Sequence, residues 1–79
     1  MNKDEILKRL EPIFQTVFND DELEVSEGLV FEDIDEWSSI LHTIMIAEVE
    51  KEFGVSFKLR EVATMNDVAA LINTIETKL

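Results

Sequence analysis

Residues 36–54 read EWSSILHTIMIAEVEKEFG, and the rest of the chain is best understood outward from them. Apolar residues recur at Ile40, Leu41, Ile44, Met45, Ile46, Val49 and Phe53, the three- and four-residue spacing of a helix. Gly54 stands where such a helix should stop. The run opens on two adjacent hydroxyls, Ser38 and Ser39, directly behind an acidic segment and the only tryptophan, Trp37. A serine oxygen accepts the first unpaired N–H groups of a helix, so both serines read locally as N-cap candidates. Leu41 follows Ser38 by three places and His42 follows Ser39, so neither has the glutamate or glutamine of a capping box. The other reading is that one serine carries a phosphate-linked group, because free N–H groups and the helix dipole both favour an anion there. On local residues alone the cap ranks first.

Upstream, Ile6, Leu7, Leu10, Ile13, Phe14, Val17 and Phe18 form a second stripe of helical spacing, which predicts a helix from Asp4 to Phe18. Pro12 lies inside it and has no N–H to give to the turn before, so the helix is either kinked there or starts late, near Glu11. From Asn19 to Glu36 no helical period holds, and Leu23, Val25, Leu29, Val30 and Phe31 are scattered among carboxylates. That segment predicts a long loop touching the core at a few points. Downstream of Gly54, Leu59 to Ala63 suffices for one helical turn. A last helix follows on Val68, Leu71, Ile72 and Ile75, with Thr64 and Asp67 spaced like a capping box in which aspartate replaces glutamate. The expected architecture is all-α in one domain over residues 1–79: three main helices, one short turn of helix and a long first loop.

At 79 residues there is room for one modest core and no deep cleft between lobes. Cysteine is absent, which removes disulfides, thiolate nucleophiles and sulfur metal sites together. A formal charge of −11 favours a monomer with basic protein partners and disfavours nucleic acid, whose phosphates reward lysine and arginine. No apolar run is long enough to span a bilayer, and the first residues lack the apolar core of a signal peptide, so the expected location is cytoplasmic without membrane insertion.

Catalytic chemistry has little to work with. His42 is the only histidine and follows Ser39 by three residues, but no strand–elbow turn frames a serine–histidine pair and no third group aligns with it. A histidine packed at a helix surface is the simpler reading. The acidic run from Asp20 fails as a calcium loop, since its sixth position is Val25 and its twelfth is Phe31, where glycine and glutamate are required. A solvated, self-repelling loop is the ordinary fate of such a charge run, with a second use as an electrostatic landing surface.

Over nearly its whole length the chain resembles acyl carrier proteins. That family has a helix, a long acidic loop and an Asp-Ser-Leu motif opening a second helix that closes in a Glu-Glu-Phe-Gly-like segment; here the corresponding residues are Ser38-Ser39-Ile40 and Glu50-Lys51-Glu52-Phe53-Gly54. Counting back from Phe53 at the family's distance selects Ser39 rather than Ser38. The resemblance is closer still to stand-alone carriers with Trp-Asp-Ser-Leu and a histidine in the next turn, matched by Trp37, Ser39 and His42.

The resemblance implies a four-helix acyl-carrier-like bundle, not itself an enzyme. It implies that a phosphopantetheinyl transferase attaches 4′-phosphopantetheine from coenzyme A to Ser39, and that acyl-loading and acyl-transfer enzymes with basic docking faces act on the resulting thioester in fatty-acid, polyketide or related biosynthesis. Docking residues so implied are Glu36, Trp37, Ser38, Ile40, Leu41, Ile44 and Glu48. Met45, Val49, Leu59, Val62 and Ile72 are candidates to line an acyl pocket, and equally plain core. The family's aspartate is Ser38 here and its leucine Ile40, while Leu41 and Ile44 place apolar residues where polar ones are common. These departures leave open a second reading, an unmodified carrier-like module that binds a partner through Leu41, Ile44 and the acidic surface.

Overall fold

The first helix, α1, runs Lys3–Val17 and is opened by a capping box: Asn2 Oδ1 accepts the Glu5 N–H at 2.9 Å and Glu5 Oε1 accepts the Asn2 N–H at 3.1 Å. The structure, a computed structural model, describes residues 1–79. It shows α1 continuing through Pro12 rather than starting near Glu11. Proline is tolerated because its ring lies on the exposed side of the helix, while Ile6, Leu10, Phe14 and Phe18 line the opposite side at four-residue steps and are completely buried.

The long connection ends in a single 3₁₀ turn at Phe31–Asp33 and is tied down at both edges. Glu11 Oε2 accepts the Val25 N–H at 3.0 Å, and Gln15 Nε2 donates to the Leu23 carbonyl at 3.0 Å, so α1 holds its first half. Its second half closes on the last helix through an isolated antiparallel bridge between Val30 and Asp67. Val25, Phe31 and Ile34 enter the core from this loop.

The second helix, α2, spans Ser39–Phe53 and stops at Gly54, whose φ of +66° is the left-handed conformation that glycine adopts without a Cβ penalty. The Glu50 carbonyl accepts both the Gly54 and Val55 N–H groups, at 2.9 and 3.2 Å. Glu50 Oε2 also accepts the Phe57 N–H at 2.7 Å, which sets the path into the short α3, Leu59–Thr64. That helix buries none of its residues, and Leu59 is 86% exposed. Glu61 holds it by accepting the Lys58 N–H at 2.7 Å and pairing with Lys78 at 3.1 Å. These contacts, the backbone hydrogen bond first, keep the Glu61 carboxyl below its usual range.

The last helix, α4, runs Val68–Lys78, and its cap differs from the sequence expectation. Asp67 is itself the N-cap, accepting the Ala70 N–H at 2.8 Å, while Thr64 ends α3. The two preceding N–H groups go to the loop: Val68 donates to the Leu29 carbonyl and Ala69 to that of Glu27, both at 3.0 Å. Thus all three early donors of α4 are satisfied, and the loop is fixed by the same bonds. The result is a small all-helical bundle with no strands and a radius of gyration of 11.3 Å, close to the roughly 11.6 Å of a folded chain this long.

Candidate functional site

The two serines at the mouth of α2 are not equivalent. Ser38 is the N-cap, in extended conformation, and its Oγ accepts the Leu41 N–H at 3.1 Å. Ser39 is the first helical residue; its side chain is exposed and its hydroxyl makes no hydrogen bond within the molecule. The cap is therefore supplied by one serine, and the other keeps a free hydroxyl. The first turn of α2 carries no acidic side chain, although the exposed Glu36 lies just outside it.

Behind Ser39 stands an aromatic cluster. His42 is buried rather than packed at the surface, with its ring 5.1 Å from Phe31 and 6.0 Å from Trp37. Trp37 Nε1–H donates to His42 Nδ1 at 3.3 Å. The indole has no second donor and the imidazole accepts on Nδ1, so the network assigns the ring proton to Nε2. Burial lowers the His42 pKa, and the Val62 carbonyl opposes the shift by offering the protonated ring a hydrogen bond. No hydrogen bond joins His42 to Ser39, so the pair suggested by their spacing does not form.

Trp37, His42, Val62 and Met65 enclose a cavity of about 270 Å³ that opens beside Ser39, with Glu32 and Asn66 at its polar margin. It falls just under the size of ordinary small-molecule sites, about 300–1,000 Å³. Of the residues considered for an acyl pocket, Val62 alone lines this space. Met45, Val49 and Ile72 are completely buried in the core, and Leu59 points to solvent.

The docking residues divide differently from expectation. Ile40 and Ile44 are the exposed apolar pair, 73% and 45% accessible, one turn apart on α2. Leu41 is half-buried and packs against the core, so it reaches the surface less than Ile40 and Ile44 do. The reason is rotation: a two-faced apolar start leaves the inward direction undecided until His42, Met45 and Val49 take it. Leu41, Ile44 and Glu48 instead form one wall of an open trough of about 770 Å³ between α2 and α1.

The opposite wall comes from Lys8, Pro12, Ile13 and Val17, none of which the sequence marked as a site residue. The available signal was the width of the α1 stripe, which exceeds what the core absorbs: Ile13 and Val17 remain half-buried. No three histidine, aspartate or glutamate side chains converge as metal ligands. No helix is long and apolar enough to cross a membrane. In comparison with known proteins, no family model matches the chain and no curated protein matches it significantly.

Proposed function

We propose that this protein is an acyl carrier, modified on Ser39 by 4′-phosphopantetheine and acted on by partner enzymes rather than catalytic itself. One observation carries the reading: Ser38 is committed to capping α2, while Ser39 offers an exposed, unbonded hydroxyl at the same helix N-terminus. The resemblance of residues 37–54 to acyl carrier proteins points to the same serine through its spacing to Phe53.

The Ser39 oxygen is the nucleophile toward the pyrophosphate of coenzyme A. A new P–O bond forms to Ser39, the bridging P–O bond breaks, the remainder of coenzyme A leaves with the bridging oxygen, and the serine proton passes to a base of the transferase. The resulting phosphodiester is an anion beside the first N–H groups of α2, where helix termini favour negative charge. Its thiol supplies the thioester linkage for the acyl group. Trp37 and His42 hold the segment leading into Ser38, and the small cavity beside them accepts the root of the arm.

The test is the intact mass after incubation with coenzyme A, magnesium and a broad-specificity phosphopantetheinyl transferase, repeated on Ser38→Ala and Ser39→Ala. A gain of one phosphopantetheine that is lost only in Ser39→Ala is the expected result. Loss in Ser38→Ala with retention in Ser39→Ala overturns the assignment of site. No gain in any form favours the unmodified interaction module, for which the exposed Ile40–Ile44 pair is the supporting feature.

A further inference from the structure

We propose that His42 is a positioning residue for Ser39: it grips Trp37 through its ring and Ser38 through its backbone, and protonation of the ring opens this clamp and slows loading of the serine. The part that concerns loading rests on the reading of Ser39 as the attachment site.

Both bonds of the clamp end on His42. Its backbone N–H donates to the Ser38 carbonyl at 2.8 Å, closing the first turn of α2, and its Nδ1 accepts the Trp37 Nε1–H at 3.3 Å. The ring bond is long, but the edge-on packing of indole against imidazole, with centroids 6.0 Å apart, supports it. The Trp37 backbone is anchored as well, since its N–H donates to the carbonyl of the buried Ile34 at 2.9 Å. On the far side, Thr43 Oγ1 donates to the Ser39 carbonyl at 3.0 Å. Ser39 makes no side-chain bond of its own, so its hydroxyl takes its place from these neighbours. Ser39, Trp37 and His42 also line one cavity of about 270 Å³, so a change in how the two rings meet alters the wall beside the serine.

Among these bonds, only the one to Nδ1 ends on a group that titrates near neutrality. The neutral ring accepts there because its proton sits on Nε2. A second proton must go to Nδ1, where it meets the Trp37 N–H and leaves two donors face to face with no lone pair between them. Phe31, 5.1 Å from the imidazole, offers no acceptor. The cavity takes one charged side chain, the exposed Glu32 of the 3₁₀ turn; α3 adds the Val62 carbonyl, and α1 and α4 add no charged group. A buried charge needs a partner, so the protonated ring satisfies its new N–H only by turning away from the indole. Burial lowers the His42 pKa, which keeps the clamp closed at neutral pH and opens it as the pH falls through the depressed value.

The experiment follows the unmodified ¹⁵N-labelled full chain by NMR from about pH 7.5 to about pH 5, reading the His42 ring, the Trp37 indole N–H and the Ser39 amide together. In wild type the three should move with one midpoint below 6.5, while the amides of α1 and α4 hold their positions. The Ser39 amide should no longer follow pH in Trp37→Phe, which lacks the donor, or in His42→Gln, whose amide oxygen still accepts the indole N–H but does not titrate. Loading by a broad-specificity phosphopantetheinyl transferase is then measured at both ends of the range, each chain's rate being divided by its own at the higher pH. The wild-type ratio should fall below that of His42→Gln by roughly threefold or more, the scale of one lost hydrogen bond. A Ser39 amide that stays still while His42 titrates, the same response in His42→Gln, a ring that remains neutral throughout, or shifts spread equally over α1 and α4 would each overturn the clamp. Equal loading ratios would overturn its control of the serine. Absence of loading in every chain would overturn the attachment reading and the control of loading together, and the NMR response would still decide the clamp.

Discussion

Ser38 and Ser39 are separated by one peptide bond and by what their oxygens do. Because Ser38 Oγ caps α2, Ser38→Ala should lower the unfolding free energy by about 1 kcal/mol, and Ser38→Asp should restore it, since aspartate caps equally well and suits the helix dipole. Ser39→Ala, on an exposed side chain with no bond to lose, should stay within about 0.5 kcal/mol of wild type. Urea denaturation of the three variants measures the difference, and a larger cost for Ser39→Ala would mean that the caps are assigned the wrong way round. His42 supplies a second prediction at this scale. Burial holds its pKa below the unfolded value of 6.5, so between the two values the unfolded chain binds a proton that the folded chain refuses. The stabilisation from keeping the ring neutral is complete above pH 6.5 and is lost as the pH falls through the depressed folded value. Protonation also puts a second N–H opposite the Trp37 donor. Urea midpoints read by Trp37 emission at pH 7.5, 6.5 and 5.5 should therefore fall more steeply for wild type than for His42→Gln, which cannot titrate. Parallel curves would show that His42 is not kept neutral by the fold.

At the scale of the element, Pro12 is the clearest anomaly, a proline in the interior of a continuous helix. Replacing it by alanine gains about 3 kcal/mol of helix propensity and gives back about 0.4–1 kcal/mol through a less restricted unfolded chain, a net stabilisation of about 2 kcal/mol. The exposed ring contributes no core contact to offset this, so Pro12→Ala should raise the urea midpoint; a lowered midpoint would mean that α1 has the bend it needs only with proline. The elements as such were legible in the sequence, because the apolar spacing that builds α1, α2 and α4 is the same spacing that buries Ile6, Leu10, Phe14, Val49 and Leu71. What was not legible depended on partners distant in the chain. Asp67 looked like the third residue of a box headed by Thr64, and becomes the cap only because the Leu29 and Glu27 carbonyls take the N–H groups of Val68 and Ala69. Similarly, the order of burial among Ile40, Leu41 and Ile44 follows from where α1 lies, and a stripe that is apolar on two faces carries no mark of it. The candidate site was legible as the Ser38–Ser39 pair, whereas the separation of their roles needed the position of one oxygen relative to one N–H.

For the whole molecule, charge is the property with the longest reach. Eighteen acidic residues face seven basic ones, and only three ion pairs form, all of them at exposed or part-exposed side chains. Such pairs contribute little to stability, about 0–1 kcal/mol each, so the excess acts mainly on encounter with other molecules. If a basic-faced transferase is drawn to Ser39 by this field, the reach of each carboxylate depends on screening. Glu36 is three residues from Ser39, whereas Glu48 lies nine residues along α2, about 14 Å at 1.5 Å per residue. The Debye length is about 8 Å at 0.15 M salt and about 30 Å at 0.01 M. Glu36→Lys should therefore slow loading at both salt concentrations, by several-fold or more. Glu48→Lys should slow it chiefly at low salt, where the field of the whole α2 surface still reaches the enzyme. Loading rates of both variants, followed by intact mass at the two salt concentrations, separate this from direct contact: an equal effect of Glu48→Lys at high and low salt would place Glu48 within the transferase footprint. Rates that ignore salt and both reversals would mean that the acidic surface serves solubility and not recruitment.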